Sequence, residues 1–247
     1  MQLTLVSHYL DKPPEFARLI DELQASLTRM LGSFFCPYEL AQVHGTIIGL
    51  EGTQVADGLR SENFLRYRNE ERFIDFAGLL HFLCNDFAGF AIRIGGFSAT
   101  EDYGFTSQSR HPFLRSFSLQ QEIAVAMGWP FQGGTVSLAL DQLRRSIQHF
   151  GVLHKWHRCA DDVDNDYFFV LGRINGAMPE ELRLATENKL REQLSRRERL
   201  LLPIDRDALS FVAYREPQLP LASSRVRRVT DTDLTADVLC GMNAERD

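Results

Sequence analysis

Two polar side chains stand out by type and spacing. In Val43-His44-Gly45-Thr46-Ile47, an imidazole and a hydroxyl lie two residues apart within a β-branched, apolar run. Strand side chains alternate between faces, so His44 and Thr46 project to one side and Val43, Gly45 and Ile47 to the other. An imidazole gives or takes a proton near neutral pH and a threonine hydroxyl donates a hydrogen bond, so together they suit an oxyanion such as a phosphate. Gly45 leaves space for another part of the chain to approach closely.

A second concentration of chemistry lies in Val152 to Arg158. Read as a strand, it sends His154, Trp156 and Arg158 to one face and Lys155 and His157 to the other. His154 is the candidate for a second proton carrier; otherwise the run reads as a solvated basic edge. Opposite faces also argue against chelation by His154-x-x-His157-x-Cys159, so no metal site is assigned. Gly133-Gly134-Thr135 lacks the lysine of a P-loop and reads as a turn with a helix cap, while the acidic run from Asp161 to Asp166 reads as a turn. Arg225, Arg227 and Arg228 follow an expected last strand, and one or two of them are candidates to face a phosphate. No Gly-x-Ser-x-Gly elbow and no dinucleotide-binding glycine pattern occurs.

The elements that must position these groups alternate in type. Gln2 to Tyr9 reads as a strand and Phe16 to Leu31 as a helix with one buried stripe, ended by Gly32. Tyr38 to Leu50 reads as the strand that carries His44 and Thr46. Phe73 to Phe87 has helical spacing, Phe90 to Gly96 is a short strand, Ser98 to Pro112 a long surface loop, and Leu114 to Pro130 strand-like. Val136 to Phe150 reads as a helix closed by Gly151, Tyr167 to Ile174 as a strand, Pro179 to Leu202 as a charged helix and Ala208 to Tyr214 as a late strand. From Thr230 onward the chain is polar and expected to be peripheral.

Strand-helix-strand near the start resembles the order in the second half. The expectation is α+β: one domain over residues 1–247, built of two duplicated lobes, roughly 1–112 and 113–230. Their antiparallel sheets surround a central groove, with helices outside.

The chain has 247 residues, 44% hydrophobic and 24% charged, enough apolar content for a sizeable core. A net charge of −6 argues against broad neutralisation of long duplex nucleic acid. Cys36, Cys84, Cys159 and Cys240 are far apart without paired spacing, which fits reduced thiols in a cytoplasm. A continuous apolar run of membrane-spanning length is lacking, so neither secretion nor membrane insertion is expected.

His44-Gly45-Thr46-Ile47, with the strand and amphipathic helix that precede it, resembles the first motif of the 2H phosphoesterase superfamily, which includes RNA 2',3'-cyclic phosphodiesterases and RNA-ligase-like proteins. That family carries two His-x-Thr/Ser motifs on facing strands of a duplicated α+β fold. The resemblance extends faintly to Val229. It implies that His44 acts as general acid or base on a 2',3'-cyclic nucleotide or related phosphodiester, that Thr46 holds phosphate oxygens, and that no metal or other cofactor takes part. Its partner would be a small phosphorylated ligand or an RNA end.

The second motif departs from the family. Aligning Tyr167-Phe168-Phe169-Val170-Leu171-Gly172-Arg173-Ile174 on Leu171 and Arg173 puts Phe168 at the histidine position and Val170 at the threonine position. Neither side chain carries a titratable proton or a hydrogen-bond donor. Three readings follow: an enzyme completed by a different histidine, His154; an inactive phosphate-ligand or protein-binding module of the same fold; or a purely structural descendant of that fold. Arg173, Tyr214 and Arg225 are the candidate ligand-binding residues.

Overall fold

A computed structural model describes residues 1–244. Strand β1 (Gln2–Ser7) is buried along nearly its whole length, because Leu3 and Leu5 enter the main core on one face while Thr4 and Val6 are covered on the other. Pro13 and Pro14 end the extended segment and Pro14 opens helix α1 (Pro14–Leu31). Phe16, Leu19, Ile20, Leu23, Leu27 and Leu31 form its buried stripe, and Gly32 stops it at a φ of 53° that favours glycine.

The expected strand from Tyr38 to Leu50 is broken. A three-residue strand, β2 (Phe35–Pro37), precedes a single 3-10 turn, and β3 (Gly45–Gly49) begins immediately after His44. Pro37 cannot donate to a continuing ladder, which accounts for the interruption. The polar stretch beyond forms a hairpin, β4 (Gly52–Val55) and β5 (Gly58–Ser61), with helix α2 (Glu62–Arg68). Helix α3 (Phe76–His81) and β6 (Phe90–Ile94) follow. Helix α4 (Pro112–Arg115), β7 (Phe117–Gln120) and β8 (Ile123–Gln132) divide what reads in the sequence as one strand from Leu114 to Pro130, and β9 (Thr135–Val136) follows. Thr135 therefore lies in a short strand rather than capping α5 (Ala139–Ile147).

Strand β10 (Tyr167–Ile174) has the expected bounds. Helix α6 (Glu180–Arg196) ends earlier than expected, because Leu200–Ile204 pairs with β6 as β11. Strands β12 (Leu209–Tyr214) and β13 (Arg225–Arg228) complete the sheet. The expectation of a peripheral tail is corrected: Ala236–Ala244 forms helix α7, which buries Leu239 and Met242 in the main core.

The main sheet has eleven strands, in the order β11-β6-β8-β10-β3-β1-β12-β13, with β2 beside β10 and β7 and β9 beside β8. Its pairings are antiparallel, which bears out the α+β reading. The sheet does not divide at residue 112. Strand β6 pairs with β8, and β12 pairs with β1, so each half of the sheet draws on both halves of the chain. The halves meet where β10 pairs with β3, Phe169 opposite Gly45. No helix among the described residues is long and apolar enough to cross a membrane.

Candidate functional site

Residue alternation at the β3–β10 seam sets the site. Val43, Gly45, Ile47, Tyr167, Phe169 and Leu171 are buried toward the α1 side, whereas His44, Thr46, Phe168 and Val170 line a cavity of about 320 Å³ on the opposite face. Because Phe169 is opposite Gly45, the antiparallel register sets Val170 across from His44 and Phe168 across from Thr46. Phe168 and Val170 thus contribute an apolar wall to the cavity on this face of the sheet.

Gly45 has a specific steric reason to be glycine. A Cβ there would stand 2.1 Å from the Tyr167 ring. Tyr167 is fully buried and its hydroxyl lies 2.8 Å from the Ser7 hydroxyl, so the ring has little freedom to retreat. Gly45→Ala is expected to cost about 2–3 kcal/mol through overpacking. A urea midpoint unchanged from the parent protein would show that the ring yields freely.

His44 donates from Nδ1 to the Gln42 carbonyl at 2.7 Å, the only sense possible for a carbonyl partner, and this leaves Nε2 with a lone pair in the neutral ring. Tyr9 packs edge-on against the imidazole at 5.6 Å. Burial lowers the His44 pKa to about 4; the Gln42 bond opposes that shift and the Lys12 charge adds to it. Burial also lowers His154 and His8, the former reinforced by Arg144.

These uncharged imidazoles make folding sensitive to acid. Unfolded histidine binds a proton below about 6.5, while folded His44 resists until about 4, so stability is lost as pH falls through that window. His44 alone contributes a loss of up to about 3 kcal/mol, and His154 and His8 act in the same direction. Urea unfolding at pH 7, 5.5 and 4.5 should show falling midpoints; midpoints constant across the series would contradict the buried, neutral assignment.

The strand expected over Val152 to Arg158 does not form. The segment is a loop without ladder pairing, and His154 and His157 are not on a solvated edge: both are buried, their rings 5.5 Å apart. A chain of buried polar contacts explains the loop's conformation. His157 Nε2 donates to Asp141 at 2.9 Å while Nδ1 accepts from Gln148 at 3.1 Å. Although desolvation opposes it, hydrogen bonding from His157 and Arg145 holds the Asp141 carboxyl down to about 2. Both His157 nitrogens are therefore occupied, and it has none to offer a metal.

Arg144, fully buried on α5, ties this loop to the site strand. It donates to the carbonyls of Ile47 at 2.8 Å and Thr46 at 3.3 Å on one side, and to those of Asp164 at 2.9 Å and Asp166 at 3.3 Å on the other. Its guanidinium also pairs with the Asp164 carboxylate at 3.1 Å. The acidic run is thus not a merely solvated turn. Asp166 accepts from Trp129 and Arg115 inside the fold.

So tethered, the loop delivers His154 and Lys155 to the cavity that His44 and Thr46 line. His154 Nδ1 lies 3.2 Å from the Asp164 carboxylate but without hydrogen-bond geometry, and this buried nitrogen is unpartnered. Tyr214 also lines the cavity, as do Tyr38 and Glu51. Burial, reinforced by the Glu51 charge, pushes the Tyr214 phenol up to about 12.

Arg173 and Arg225 are not brought in. A bulge between Val170 and Gly172 shifts the alternation of β10, and Arg173 emerges exposed beyond the rim, opposite Ile123 and Cys36. Arg225 is exposed at the start of the outermost strand, β13, opposite Ala213. Neither lines the cavity.

Arg144, Glu51 and Tyr38 escape the sequence reading. For Arg144 a signal exists: Leu140, Arg144 and Ile147 share one helical stripe, so a charge sits on a buried face, followed by a cluster of acids.

No protein-family model matches the chain, and no curated protein matches it significantly. Among solved structures it is similar to the crystal structure of TT0787 of Thermus thermophilus, at 14% sequence identity over 92% of this chain and 94% of that one, with a TM-score of 0.44.

Proposed function

We propose that the cavity binds a 2',3'-cyclic nucleotide or related cyclic phosphodiester and opens it in the manner of a 2H phosphoesterase, without metal. The observation that carries the reading is the convergence of His44, Thr46 and His154 on one cavity. In this reaction His44 Nε2 takes the proton of a water attacking phosphorus. The bond from phosphorus to one ribose oxygen breaks, and that oxygen takes a proton from the second carrier. Thr46 donates a hydrogen bond to a phosphate oxygen, and Lys155 supplies the cation that balances the anion. His154 is the second carrier. Burial disfavours its charged form, and a bound phosphodiester anion beside it favours protonation. Phe168, Val170 and Leu219 supply an apolar surface for the sugar and base. Unpaired Cys36, Cys84, Cys159 and Cys240 suit a reducing compartment such as the cytoplasm.

One observation favours a second reading. Opposite His44 and Thr46 stand Val170 and Phe168, which carry no proton, so the site also suits a module that holds a phosphorylated ligand without turnover. A panel of cyclic nucleotides, assayed for opening with and without a chelator and for thermal stabilisation, separates the two. Opening that survives chelation supports the enzyme. Stabilisation without opening supports the binding module. Neither effect with any nucleotide overturns both.

A further inference from the structure

Outside the cavity, cations and aromatic rings alternate over one surface. Lys155 lines the cavity and also lies 5.8 Å from the centre of the Trp156 ring. Arg158 stands 5.1 Å from the same ring and 5.4 Å from Tyr67, and Arg66 is 6.0 Å from Tyr67. Trp156 is 46% exposed, an uncommon condition for a side chain of its size in a chain that buries its other tryptophan, Trp129, completely. Arg66, Lys155 and Arg158 are exposed too, and no carboxylate pairs with them among the described residues. The Asp162 carboxylate accepts from the Cys159 N–H at 2.6 Å. The surface is held in place from below, because Arg68 of α2 donates to the His157 carbonyl at 2.8 Å and so joins helix to loop.

A protein of net charge −6 here presents three cations beside two rings, with Arg158 in contact with both. Single-stranded nucleic acid needs this combination: bases stack on aromatic faces and phosphates follow the cations, without regard to sequence. The patch is also continuous with the cavity through Lys155. We infer that Trp156, Tyr67, Arg158 and Arg66 form a stacking platform for the single strand leading into the cavity, so that the ligand is an oligonucleotide end and not a free mononucleotide. The inference rests on the phosphodiester reading of the cavity, but the platform itself binds strand without requiring a terminal phosphate.

The test uses the full chain and an RNA hexamer with plain hydroxyl ends. Because Trp129 is buried, quenching of tryptophan emission reports on Trp156. The hexamer should quench it and bind with an affinity that falls as salt rises. Trp156→Ala should weaken binding about 10-fold, and Arg158→Ala should lower the salt slope by about 0.7. Both variants should leave the affinity for a 2',3'-cyclic mononucleotide unchanged. A hexamer that neither quenches nor loses affinity in Trp156→Ala overturns the platform even where the mononucleotide binds. A poly-glutamate peptide that quenches as strongly as RNA overturns it in favour of a protein-docking face. Hexamer binding that persists while the mononucleotide fails to bind leaves the platform standing and removes the cavity reading instead.

Discussion

His44→Ala is expected to lower the rate of cyclic-nucleotide opening by about 10²- to 10⁴-fold, the range associated with loss of a positioned general base. The expectation follows from where the ring's proton is held. Nδ1 is committed to the Gln42 carbonyl, so Nε2 is the atom free to accept a proton. With a pKa near 4, the ring is available as a base throughout the neutral range, and the parent protein's rate should not fall as pH is lowered from 8 to about 6. The variant should keep its fold, since the ring is uncharged at neutral pH and its loss strands no charge. It should also lose the His44 share of acid sensitivity between pH 6.5 and 4, a readout independent of turnover. Unchanged turnover in a folded variant would remove His44 from the reaction.

Arg144→Met should cost about 3–5 kcal/mol, the penalty for removing one member of a buried ion pair. In a chain of this length that lowers the melting temperature by on the order of 10 °C. Methionine keeps much of the volume but leaves the Asp164 carboxylate and the carbonyls of Thr46, Ile47, Asp164 and Asp166 without their shared donor. Arg144→Lys should recover little, because one ammonium cannot reproduce a planar fork that grips two segments at once. Hydrogen exchange should accelerate first over residues 152–166, and the parent's exchange rates retained there would show that the loop is held by other means. Arg145, partly exposed, also donates to the loop carbonyls of Ala160 and Asp162, but its replacement by alanine strands no buried charge and should matter less.

What could be read from the chain follows the reach of each physical signal. Alternation within Val43-His44-Gly45-Thr46-Ile47 located the face of the imidazole and hydroxyl, because strand geometry is local. The stripe of α1 and the bounds of β10 were legible for the same reason. Val152 to Arg158 misled, since β-compatible composition there is overridden by Asn63, Arg68, Asp141 and Gln148, which satisfy the polar groups of Leu153 and His157 without a ladder. Arg173 and Arg225 were misplaced because one lies near the far end of β10 and the other on the outermost strand, and neither position has a dependable one-residue signature. The closing helix α7 was hidden by its polar surroundings, with Leu239 and Met242 too few to announce a buried face.

The two imidazoles of the cavity have different mechanical owners. His44 belongs to the sheet, whose central seam tolerates almost no change around Gly45 and Tyr167. His154 belongs to a connection fastened at its rear by Arg144, and the side chains of Lys155, Trp156 and Arg158 on that connection are exposed. Substitutions among those outer residues can therefore retune what the chain recognises without disturbing the framework beneath, and variation between descendants should collect in that connection.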